Sequence, residues 1–247
     1  MPVPPRIFDP AVQALHRARA VRLQADRFLV QEAQDGIKDR LATVKRDFAS
    51  ALALDGDATA VLPGAAWQTG TFDGGERLAA NGVFDLVVSI LTLHGLNDLP
   101  GALAQIRRTL KPDGLFVGAL FGGVTLAELR DSLAAAELAT TGGVSPRVAP
   151  MADVRDLGGL MQRAGFALPV ADVERTTARY RDVFGLVRDL RAMGETNALV
   201  ARLGRLRRDT LAAAIRHYQM NHADADGRLC ATFDIVYLTG WAPASLG

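Results

Sequence analysis

Apolar residues recur at helical spacing from Val12 through Leu15, Val21, Phe28, Leu29, Ile37 and Leu41 to Val44, between Arg, Gln, Glu and Asp. That pattern predicts amphipathic helices over residues 10–45. The period then changes. "ALAL" (51–54), "VFDLVVSI" (83–90) and "LFVGALFG" (115–122) are compact apolar runs, which predict buried strands. Between the second and third of these runs, "LPGALAQIRRTL" (99–110) reads as an amphipathic helix and "KPDG" (111–114) as a turn. Helices are expected near 125–139, 153–164, 182–192 and 207–221, with Gly165 closing the second of them. A strand is expected within 166–180 and another over 229–242. Strands alternating with helices imply an α/β chain with a mostly parallel sheet covered on both faces. Residues 1–48 form an N-terminal helical segment on this reading, and 49–247 the α/β domain.

Composition narrows the classes. The 247 residues are 49% hydrophobic with a formal net charge of +1, which is globular and carries no demand for nucleic acid. Five arginines lie between positions 6 and 27. Acidic residues interleave with them, so they read as the solvated side of the helix pair. Cys230 is the single cysteine; with no disulfide to form, a soluble cytoplasmic protein is expected. The start lacks a signal-peptide core, and no apolar run is long enough to span a membrane. No metal site is expected. His217 and His222 lie five apart on a helix and read as surface residues.

The stretch 83–122 resembles the second half of a class I S-adenosylmethionine-dependent methyltransferase, through Phe84-Asp85, Leu93-His94, Asp98, Arg107, Leu110-Lys111-Pro112 and Gly114. "RIFDPAVQALHRARA", "GGVSPRVAPMADVRDLGGLMQRAGF", "RDLRAMGETNAL" and "ATFDIVYLTGWAP" are similar to one branch of that superfamily. The branch holds biotin-pathway methyltransferase relatives and a mitochondrial complex I assembly factor implicated in arginine hydroxylation. The resemblance implies a Rossmann-like, seven-stranded sheet whose last strand is antiparallel, and S-adenosylmethionine as cofactor.

Residues 53–82 depart from it. The family's glycine-rich turn after the first strand, which resembles "LDLGCGxG", is replaced by "ALALDGDATAVLPG" (51–64). Only 29 residues separate Leu54 from Phe84, where three helices and two strands need roughly 60. The first half of the sheet is therefore expected to be truncated, with "TAVLP" and "AAWQT" as remnant strands. Candidate cofactor contacts are Asp55 and Gly56 at the turn, Glu76 as a replacement acid, and Ser89 and Leu91 at the end of the fourth strand. His94 is the candidate for acid–base work. Two functions follow. One is methyl transfer, or the branch's hydroxylation, with weak or remodelled cofactor binding. The other is a pseudo-methyltransferase that binds a protein partner, as in respiratory complex I assembly. An edge left by shortened strands would offer a surface for a homo-oligomer.

Overall fold

A computed structural model describes residues 6–23, 25–56, 58–202 and 204–244. The start "MPVPP" and Asp57 of the turn lie outside the described residues. Two helices, α1 (Pro10–Leu23) and α2 (Phe28–Ala42), precede the sheet. Its strands are β1 (Ser50–Leu54), β2 (Ala66–Phe72), β3 (Leu78–Ala79), β4 (Phe84–Ile90), β5 (Leu110–Gly122), β6 (Ala167–Tyr180) and β7 (Leu229–Trp241). They lie in the order β3-β2-β1-β4-β5-β7-β6. The four central strands β2, β1, β4 and β5 are parallel, and β7 runs antiparallel to both β5 and β6. The strand order reverses between β1 and β4, which is where open α/β sheets bind ligands.

Alternation along β1 divides the core. Ala51 and Ala53 join Leu86, Val88, Val117, Leu29 and Ile37 on one face, while Leu52 and Leu54 join Val87, Phe116, Leu103, Ile106, Leu157 and Met161 on the other. The first face is covered by α2, α6 (Val183–Met193) and α7 (Arg208–His222). The second is covered by α3 (Leu99–Arg108) and α5 (Val154–Arg163). Helix α4 (Ala127–Thr141) packs with α7 and β7.

Local chemistry sets the ends. The Asp98 and Asp182 side chains accept the amides of Gly101 and Gly185 at the starts of α3 and α6, both at 2.9 Å. Gly165 takes φ +85° beyond α5, donating to the Gln162 carbonyl while Phe166 donates to that of Met161, as its expected closing role requires.

Two expectations fail locally. "KPDG" is not a turn leading from helix to strand; it is a bulge inside β5, where the register against β4 jumps from Phe84↔Leu110 to Leu86↔Leu115. Asp113 absorbs the bulge at φ +60° and donates its amide to the Ala242 carbonyl. The segment "TAVLP" is not a strand either. Residues 58–64 wrap as turns, with Ala58 and Val61 anchored in the core. Buried small residues at a three-residue spacing turn the chain back toward β2 instead of extending it. "AAWQT" does form β2, and its outer neighbour β3 is only two residues long and antiparallel. Among the described residues no helix separates β1 from β2 or β2 from β4.

Candidate active site

At the C-terminal end of β1 the Asp55 amide donates to the Gly70 carbonyl at 2.8 Å, extending the ladder to β2 by one step. Asp55 takes φ +53°. Its carboxylate accepts from the Thr71 hydroxyl and lies 3.9 Å from an Arg17 guanidinium nitrogen. A Cβ on the exposed Gly56 would meet nothing within 4 Å, so this backbone borders open space. Among the described residues no helix N-terminus follows to point its amides at a ligand.

Three cavities meet along the strand ends. The first, of about 710 Å³, lies over β2 and includes Asp55, Gly56, Thr71, Asp73 and Glu76 in its wall. The second, of about 380 Å³, runs past Asp55, Gly56, Leu91, Thr92 and Glu195. The third, of about 210 Å³, is mainly apolar and includes Thr92, His94, Phe121, Val148, Met151, Glu195 and Asn197. Arg17 borders all three. Reading the N-terminal arginines as a solvated face overlooked it: α1 lies across the cleft and turns Arg17 inward.

Leu91 occupies the end of β4 at φ +50°, a conformation that costs a branched residue about 1–2 kcal/mol. It is held by its amide bond to the Ala119 carbonyl at 2.7 Å. Such strain belongs at positions where the surrounding structure dictates the backbone. Ser89 is fully buried. Its hydroxyl lies 2.8 Å from that of Thr92, and Thr92 borders the cleft.

Glu76 has another task. One carboxylate oxygen accepts both the amide and the side-chain nitrogen of Asn97, and the other accepts the amide of Asp98, at 2.6–2.8 Å. This anchors the entry to α3. The acid that stands directly after β2 is Asp73. One of its oxygens accepts the amides of Arg77 and Gly75, which hold its carboxyl below the usual range. The sequence signal was the Asp closing the strand in "WQTGTFD".

His94 sits in a short 3-10 turn, Leu93–Gly95, after β4. Its Nδ1 accepts the Phe121 amide at 3.4 Å, and its Nε2 lies 2.9 Å from a Glu195 carboxylate oxygen. With Nδ1 accepting, the neutral ring carries its proton on Nε2 and donates it to Glu195. Phe121 closes edge-on against the ring at 5.1 Å. Glu195 comes from the loop after α6, where Gly194 at φ +83° releases the chain and the Glu195 amide bonds back to the Leu190 carbonyl. Sequence reasoning missed Glu195, although "MGETN" (193–197) places a polar run directly after an amphipathic helix.

The loop "GGVSPRVAP" (142–150) bends over the third cavity through Val148 and Ala149. It is tied down by buried Glu137, which accepts the Ser145 amide and an Arg147 guanidinium N–H, each at 2.7 Å. Burial alone would raise the Glu137 carboxyl, but the Ser145 hydrogen bonds and Arg147 outweigh it and hold the group below its ordinary value.

A cleft of this shape, at the switch point of a sheet in this order, defines the methyltransferase architecture. A family model described as a methyltransferase domain matches residues 7–169. The chain belongs to that S-adenosylmethionine-dependent methyltransferase family. A malonyl-[acyl-carrier protein] O-methyltransferase of Gallionella capsiferriformans is 31% identical over 250 residues, covering 94% of this chain and 82% of that protein. The mitochondrial arginine-hydroxylase NDUFAF5 of Danio rerio is 47% identical over 160 residues, 65% of this chain and 50% of the relative. The chain thus spans about half the length of the NDUFAF5 relatives it matches. Among solved structures, a Bacillus halodurans protein assigned to the methyltransferases superposes with a TM-score of 0.53 at 12% identity, covering 85% of this chain and 99% of that one.

The cytoplasmic expectation is overturned by these matches, because the NDUFAF5 relatives are mitochondrial proteins. A lone cysteine reports only that no intrachain disulfide forms; it does not choose a compartment. Among the described residues no helix is long and apolar enough to cross a membrane.

Proposed function

We propose that the chain binds S-adenosylmethionine in a remodelled cleft and transfers its methyl group to an acceptor seated in the apolar third cavity. The observation that carries this reading is the continuity of the cleft from Asp73, past Asp55 and Leu91, to Glu195. The residues present suit the cofactor. Asp73 stands at the end of β2, where a carboxylate accepts paired ribose hydroxyls. Gly56 leaves its backbone open to a ligand, and Arg17 offers a cation for a carboxylate. When bound, the cofactor supplies an electrophilic methyl group.

The chain's own residues then have distinct tasks. The apolar walls around Phe121 and Met151 exclude water and orient the acceptor, which is the main demand of such a reaction. The carboxylate of Glu195 faces both cavities and takes the acceptor's proton. His94 has both ring nitrogens engaged, so it is a positioning residue that holds Glu195. With no helix after β1 among the described residues, one set of backbone donors is lost, so binding is expected to be weaker than a complete turn would give.

Calorimetric titration of the protein with S-adenosylhomocysteine tests this. Micromolar binding is expected, weakened roughly 10- to 100-fold by Asp73→Asn, the loss of one charged hydrogen-bond set. In a methyl-transfer assay, Glu195→Gln is expected to lower kcat about 10²–10⁴-fold. His94→Gln is expected to lower kcat with KM little changed, because it frees Glu195 from its position.

The second reading is a protein-binding role without catalysis, as in respiratory complex I assembly. It is favoured by the shortened segment between β1 and β4 and by the identity with NDUFAF5. No heat, and no cofactor carried through purification, would decide for it.

A further inference from the structure

His217 and His222 do not point apart, as their five-residue spacing suggested. Five residues on a helix turn through about 140°, yet the two rings approach to 6.0 Å between centroids and both reach Asp131 on the neighbouring helix α4. The Asp131 Oδ2 lies 2.8 Å from His222 Nε2 and 3.9 Å from His217 Nδ1. One ligand atom from each of the three residues falls within 4.8 Å of the others. From this geometry we propose that Asp131, His217 and His222 form a binding site for a divalent transition ion of the zinc class, joining α7 to α4.

The donor set suits such an ion: two imidazoles and one carboxylate are borderline ligands, which favour zinc over calcium or magnesium. Two ligands of a tetrahedral ion at about 2.1 Å stand about 3.4 Å apart. The present separations bracket that value, so small side-chain rotations close the site. Both rings are already oriented. The Ser132 hydroxyl, buried in α4, lies 3.3 Å from His217 Nδ1, and the buried Tyr218 ring meets His222 edge-on at 5.7 Å. On taking the ion, His217 Nδ1 exchanges its contact with the Ser132 hydroxyl for the metal, while the Tyr218 edge continues to set the His222 ring. Asp131 is exposed, which leaves the fourth position to water. The ion links the last turn of α7 to the helix whose first turn carries Leu129 in the wall of the third cavity.

The test uses untagged protein, stripped with chelator and titrated with zinc chloride. One ion per chain is expected. At a hundredfold excess over its dissociation constant, zinc should raise Tm by about 5–10 °C, and cobalt(II) should give the visible absorption of a low-coordinate site. Asp131→Ala and His222→Ala should each lower zinc affinity at least tenfold with unchanged circular dichroism. Absence of binding by the unaltered protein, or affinity unchanged in both variants, would overturn the site and leave a surface hydrogen-bond cluster.

Discussion

The two sides of β1 are built to different standards. At one position of the ladder Ala53 pairs with Val88 of β4 on one side and Thr69 of β2 on the other. Val88 is wholly buried, whereas Thr69 is exposed. The contrast holds along both strands: five of the seven β4 residues are buried, against one of seven in β2. Beyond β4, strands β5 and β7 are buried under helices, and only the edge strand β6 is largely exposed. Before it, no crossover helix occurs among the described residues, and β2 carries little over its faces. Folding free energy therefore rests on β4, β5, β7 and their helices, while the β1–β4 segment is retained at the cleft with little of its own core.

The largest expected effect tests that imbalance directly. Phe116→Ala, in the middle of β5 with no exposure, should cost about 3–5 kcal/mol in urea unfolding. Thr69→Ala should change stability by no more than about 0.5 kcal/mol. Amide hydrogen exchange gives the same comparison by residue, with β4 and β5 protected and β2 and β3 opening early. Comparable losses from both variants would show that the thin side carries as much stability as the thick one.

The same asymmetry decided what could be read from the sequence. Runs such as "VFDLVVSI" and "LFVGALFG" are legible because burial on both faces forces continuous apolar stretches. Gly165 is legible because its chemistry is local. The short side gave no such signal. "TAVLP" is apolar because Ala58 and Val61 plug the core from a turn, and nothing local separates that from a strand. Site residues divided likewise. Leu91 and His94 follow a legible strand and do border the cleft. Arg17, Glu195 and Asp73 were invisible as a group, because only the tertiary fold brings the N-terminal helix, the loop after α6 and the end of β2 together. Glu76 was chosen for its type and neighbourhood, but its hydrogen bonds serve Asn97 and Asp98. His217 and His222 were set aside on helical spacing alone, which ignores that both rings turn toward Asp131 of the neighbouring helix.

A smaller effect should appear in acid. The thick side holds three buried or half-buried carboxylates with depressed values. At Asp85 and Asp234, burial raises the carboxyl from its ordinary 3.8, but hydrogen bonds outweigh this, from Ser50 and Lys111 to the first and from Arg175 and Val124 to the second. Glu137 behaves alike. A carboxyl depressed in the folded state contributes stability above its unfolded value, and that contribution is lost as pH falls through the folded value. Unfolding free energy should therefore fall on acidification below about pH 4, as these carboxyls take up protons. Asp85→Asn should flatten part of that fall. An unchanged acid profile in this variant would remove Asp85 from the account.

The smallest effect belongs to the seam between the two sides. Gly82 precedes β4 at φ +105°, and a Cβ there would meet no atom within 4 Å. Packing alone therefore allows alanine, while the backbone does not, since L-residues with a side chain avoid this region. Gly82→Ala should destabilise by about 1 kcal/mol, measured by urea unfolding at fixed pH. An asparagine, which tolerates positive φ better, should recover part of the loss. If alanine instead proves neutral, the chain before β4 can relax its turn at no cost. The shortened segment would then be looser than its pairing with β1 implies, and the remodelled cleft that it walls would be the first part of the molecule to open.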